Sequence, residues 1–200
     1  METTRQNPIE KMEKIENQYL VNHMDSGLPR WLIEVAFVSY LLQAVVCWTE
    51  VSLWMDAHHL SWLSGIVKTF GSVVMYIGLM RGMKSLYRPF TVWWWLVIAL
   101  DFAGFLTDLI PSISDSVGLP VAVSLMLVYL PLGSAIAFNY RGRLRQVGIW
   151  MVIYILISSL LPVIVVLLFE PDQLWAYLLL EISTVAAIVV FAWMQRKVLI

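Results

Sequence analysis

The chain has 200 residues, 60% of them hydrophobic and 14% charged, which is more apolar surface than a soluble domain of this length can hide. Hydrocarbon in place of water around most of the chain accommodates the excess. The net charge of −1 averages segments of opposite bias; the basic residues are dispersed along the borders of apolar runs, which argues against nucleic-acid recognition, and the single Cys47 excludes an intrachain disulfide.

Residues 1–30 read as a cytoplasmic N-terminal arm. After Pro8, Ile9, Met12 and Ile15 recur at threes and Tyr19 and Leu20 follow, with Glu and Lys between them. That spacing predicts a short amphipathic helix lying on the membrane surface or against cytoplasmic loops. No removable signal peptide is expected, because the arm is polar and mixed in charge before any apolar run begins.

Six apolar runs follow, at 31–53, 60–80, 90–110, 118–138, 148–169 and 172–194. At about 1.5 Å per residue, runs of about 20 residues span a hydrocarbon core of about 30 Å. Backbone polar groups in lipid need internal partners, so these runs are expected to be helices. The fold class is therefore all-α, a polytopic membrane bundle with six transmembrane helices forming a single domain over 31–195. The short connections leave no room for a separate soluble domain. Pro120, Pro131 and Pro162 interrupt the runs, and Pro131, with Gly133 and Ser134 behind it, is the candidate for a kink or an opened turn.

Orientation follows from lysine and arginine. The arm holds Arg5, Lys11, Lys14 and Arg30, and the connections at 81–89 and 139–147 with the tail at 196–200 hold Arg81, Lys84, Arg88, Arg141, Arg143, Arg145, Arg196 and Lys197. The other connections carry none and hold Asp56, Asp115, Glu170 and Asp172 instead. Under the positive-inside rule both termini are cytoplasmic, in a plasma or bacterial inner membrane.

The most informative residues are those that lipid should exclude. Lys68, Asp101 and Glu181 fall near the middle of the second, third and sixth runs, where a charge costs about 2.5–3.5 kcal/mol. They are expected to face the bundle interior as one network, with a proton on one of the carboxylates. In the second run Ser64, Lys68, Gly71, Met75 and Gly78 share a stripe of small residues that permits close helix approach. Asp101 and Asp108, seven residues apart with Gly104 and Thr107 between them, would continue a polar track outward. Glu50 would line its outer approach, and Asp56 with His59 has the spacing of metal ligands on one helical turn. Glu34, near the cytoplasmic end of the first run, would pair with a basic loop or lie at the interface.

No nucleophile elbow, phosphate-binding loop or metal-protease motif occurs, and no histidine pair lies within the bundle to clamp a haem, so no cofactor is expected. These features point to transport or permeation of a cation or small cationic solute, bound by Asp101, Glu181, Lys68, Asp108 and Glu50. Membrane lipids are the expected surroundings, and a homo-oligomer or a cytoplasmic or membrane protein partner is compatible with the bundle. The alternatives are a non-catalytic sensor, assembly factor or accessory subunit, and an intramembrane lipid-modifying enzyme that uses Asp101 and Asp108.

Overall fold

A computed structural model describes residues 20–46, 48, 51, 55, 58, 60–86, 90–109, 111–168 and 174–200. The amphipathic segment expected before Leu20 lies outside the described residues. Within them the apolar runs are helical: α1 (Arg30–Val46), α2 (Ser61–Met83), α3 (Thr91–Leu109), α4 (Pro111–Asn139), α5 (Arg143–Ile155), α6 (Leu161–Leu168) and α7 (Leu174–Leu199). A π-helical segment, Leu156–Leu160, joins α5 to α6. Four stretches are long and apolar enough to cross a membrane: Trp62–Met83, Pro120–Asn139, Arg143–Leu160 and Trp175–Leu199. The chain is thus an all-α, membrane-associated bundle with at least four such spans.

Several boundaries differ from those expected, each for a local reason. Residues 111–117 are the first turns of α4 rather than a connection, and Pro111 stands where a missing N–H costs nothing. Helix α5 starts at Arg143 because the reversal is completed by Gly142, at φ 74°, a left-handed conformation that suits glycine. Helix α7 runs on to Leu199, so Arg196 and Lys197 occupy its last turns, a favourable place for cations. Helix α4 continues across both Pro120 and Pro131, and the departure from α-helical geometry comes before Pro162 instead. Proline lacks an N–H and its ring crowds the carbonyl four residues back, here that of Ser158. The wider turn relieves this, and the Leu161 N–H bonds the Leu156 carbonyl, one residue further back than in an α-helix.

Helix α1 packs on α2, α2 on α3, α3 on α4, α4 on α5, α5 on α7, and α7 returns to α1. The rods therefore close into a ring in chain order. Small residues set the closest approaches: a Cβ on Gly71 would lie 3.0 Å from the Ala36 carbonyl oxygen of α1, and one on Gly148 would lie 2.6 Å from the Gly133 carbonyl oxygen of α4. The interior holds Tyr40, Met75, Tyr76, Trp94, Leu132, Met151 and Phe191, all buried. Leu42, Phe70, Val92, Leu127, Leu167 and Leu179 face outward, a continuous apolar exterior suited to lipid. Of the three consecutive tryptophans only Trp94 turns inward, where its indole N–H donates to the Met83 sulfur at 3.3 Å.

One end of the ring gathers the basic segments. Residues 20–27 cross it as a strap: Val21 N–H donates to the Arg141 carbonyl at 3.2 Å, Leu144 N–H to that of Val21 at 3.0 Å, and Met24 N–H to that of Val198 at 2.8 Å. Gly27 lies against the Arg81 side chain at the end of α2. Arg143 reaches the Lys197 carbonyl and the His23 ring, both at 3.1 Å. Residues 20–27, the end of α2, the α4–α5 turn and the end of α7 thus share one face, as the charge pattern groups them. Met24 anchors the strap, buried against Gly82 and only 6% exposed. Met24→Ala is expected to cost about 2–3 kcal/mol and to lower the melting temperature in detergent, measured by tryptophan fluorescence.

Candidate functional site

The repeat Lys68, Ser72, Tyr76 places three polar side chains at steps of four along α2, on one slowly turning face. Asp101 meets that face from α3, where its Oδ2 accepts a hydrogen bond from the Ser72 hydroxyl. Beside them is a cavity of about 200 Å³ bordered by Lys68, Asp101, Tyr129, Tyr154, Ser158 and Ser159. Ala122, Leu125 and Ile155 complete its wall. The π-helical turn supplies the two serines, and such turns concentrate at functional sites in helical proteins.

A chain of hydroxyls leads away from this chamber. Tyr129 lines it and shares a hydrogen bond with Tyr76, whose oxygen is 2.9 Å from that of Tyr40 on α1. These rings are at most 3% exposed, and Tyr154 is stacked on Phe191 of α7 with centroids 5.4 Å apart. Depth follows from the register. Tyr40 lies ten residues after Arg30, Asp101 ten after Thr91, Tyr129 ten before Asn139 and Tyr154 eleven after Arg143. At about 1.5 Å per residue each is about 15 Å from the basic end, half of a ~30 Å hydrocarbon core. The ring thus holds a polar layer at mid-depth inside an apolar shell. A carboxylate, an ammonium and several hydroxyls around a void can bind a small polar or cationic solute and can exchange protons.

Of the residues singled out from the sequence, Lys68 and Asp101 border the same cavity. Glu181 is half-buried on α7 and is not among the side chains that line it. Asp108 is a position of α3 whose side chain lies outside the described set, as do Glu50, Asp56 and His59 altogether. Among the described residues no three metal-ligating side chains converge. The Thr107 hydroxyl donates to the Gly104 carbonyl of its own helix at 2.7 Å. Gly71 and Gly78 do permit close approach, to α1 and to Leu199 respectively.

Glu34 pairs with the last turn of α7. Arg196 holds it through two parallel bonds of 2.8 and 2.7 Å, with Arg30 at 3.9 Å and the Phe37 ring 5.2 Å from the guanidinium carbon. Both partners are about one-third exposed (32% and 34%), so the pair acts as a clasp between α1 and α7 of modest strength. The chain is a polytopic helical membrane protein that keeps polar and charged side chains within its bundle. Sequence reasoning missed Tyr40, Tyr76, Tyr129, Tyr154 and the serine pair, although the period-four spacing from Lys68 through Ser72 to Tyr76 was a usable signal.

Comparison with family models, with curated proteins and with solved structures returned no match.

Proposed function

We propose that the protein is a small transport or permeation protein, spanning a plasma or bacterial inner membrane six times with both termini cytoplasmic. It admits a cation or small cationic solute through the mid-membrane chamber. In this reading Asp101 is the binding or proton-exchanging carboxylate and Lys68 tunes it. Glu181 is the partner carboxylate of Asp101, and Asp108 and Glu50 line the outer approach. The observation that carries it is that Lys68 of α2 and Asp101 of α3, two charge-bearing side chains from different helices, border one cavity. A purely structural ion pair gains nothing from an adjoining void, because a void in hydrocarbon forfeits packing. The basic face formed by the strap, the α4–α5 turn and the end of α7 supports a common cytoplasmic side for those segments.

The test is flux in vesicles. Purified protein in liposomes should move at least one of H⁺, Na⁺, K⁺ and tetramethylammonium faster than protein-free vesicles do. Rates equal to the protein-free background for all four would overturn the reading.

A further inference from the structure

We propose that the ion carried or coupled at this site is the proton, and that the hydroxyls of Tyr129, Tyr76 and Tyr40 relay it between the Asp101 chamber and α1. The proposal rests on the transport reading and deepens it by naming the ion. Three observations carry it. The hydroxyls form an unbroken file, Tyr129 to Tyr76 to Tyr40, across three helices of the ring. Its first member lines the cavity that Asp101 and Lys68 border. Its last member lies one turn before Gln43 on the buried face of α1, and the side-chain amide oxygen Oε1 of Gln43 has no hydrogen-bond partner among the described residues. The file therefore begins at the cavity that a titratable carboxylate borders and ends one turn from a buried side-chain acceptor.

A core built only for packing has no need of this pattern. Phenylalanine at the same positions would fill the same space without three hydroxyls to satisfy in an apolar interior. A phenolic hydroxyl both donates and accepts, so a file of them passes a proton without any ring becoming charged. Asp101 takes up a proton as its carboxylate becomes a carboxylic acid. It returns that proton to the chamber, where water carries it to the Tyr129 oxygen. Tyr129 releases its own proton to Tyr76, Tyr76 releases its own to Tyr40, and Tyr40 releases its own to a water molecule on the Gln43 side of α1. Each hydroxyl gains one proton and loses one, and one proton has crossed from α3 to α1. Among the described residues the titratable groups around Asp101 include Lys68 and Tyr76 of α2, Tyr129 of α4, Tyr154 of α5 and Tyr40 of α1.

The experiment is potential-driven proton uptake into liposomes, set with valinomycin and a K⁺ gradient and followed with an entrapped pH dye. Na⁺ and tetramethylammonium flux are measured on the same preparations. Wild type should take up protons above protein-free vesicles, with a rate that falls in D₂O. Tyr76→Phe and Tyr40→Phe should each cut uptake at least tenfold while keeping the wild-type melting temperature. Tyr177→Phe, on α7 outside the file, should match wild type. Cation flux without proton uptake would overturn the proposal and leave the transport reading standing. Proton uptake that survives Tyr76→Phe unchanged would overturn the relay alone. Neither flux would overturn both.

Discussion

Gly148→Val is expected to abolish the folded protein, leaving aggregate and no monodisperse peak in detergent. A Cβ at this position lies 2.6 Å from the Gly133 carbonyl oxygen and 2.7 Å from the Ala137 backbone nitrogen. Both are main-chain atoms of α4 and cannot swing aside as a side chain would, so α4 and α5 must separate. Overpacking of this kind costs about 1–3 kcal/mol where side chains can yield, and more where they cannot. That is a large part of the margin of about 5–15 kcal/mol that holds a typical domain together. The matched control is Gly104→Ala, whose added methyl meets its nearest neighbour, a Val121 methyl, at 4.0 Å. That variant should fold and melt at or above the wild-type temperature, because alanine is favoured over glycine in a helix by about 1 kcal/mol. Fluorescence-detected size exclusion and thermal melts distinguish the two.

Asp101→Asn is expected to reduce flux by about 10- to 100-fold while the protein stays folded. Asparagine has nearly the volume of aspartate and its carbonyl still accepts the Ser72 hydroxyl, so the fold keeps its packing and one hydrogen bond. What is lost is the negative charge and the ability to exchange a proton. Bonds to a charged group are worth about 1.5–3 kcal/mol, and each 1.4 kcal/mol is about tenfold. A loss of flux accompanied by an unchanged melting temperature assigns Asp101 to the transport step. A loss accompanied by collapse of the melt would make the residue a structural element instead.

The helical class and the single-bundle architecture were legible because hydrocarbon permits few backbone solutions, and runs of about 20 apolar residues leave a helix as the one that fits. The grouping of Arg81, Arg141, Arg143, Arg196 and Lys197 at one end was legible for a related reason: charge at span borders follows a topological rule. Lys68 and Asp101 were legible as interior residues because lipid excludes charge. The tyrosine file was not, since Tyr40, Tyr76 and Tyr129 have side chains that suit a membrane interface equally well, and only their depth in the ring reveals that they lie inside. The π-helical turn was missed for another reason. Gly133 and Ser134 behind Pro131 gave it the stronger local signal, yet α4 stays helical across it while the chain widens before Pro162. The Glu34 partner on α7 required a contact between the two ends of the chain, and ring closure is invisible to any local pattern.

The central claim is that the chamber beside Lys68 and Asp101 is an aqueous station on a path through the membrane. Thiol accessibility tests it most directly: Ser158→Cys and Ala122→Cys are placed singly in a Cys47→Ala background and treated in intact membranes with a small cationic methanethiosulfonate. Both positions border the cavity. The account predicts rapid modification of each, whereas a cysteine at the exposed, lipid-facing Leu127 should stay unmodified. Protection of both chamber positions, at the level of the lipid-facing control, would contradict it.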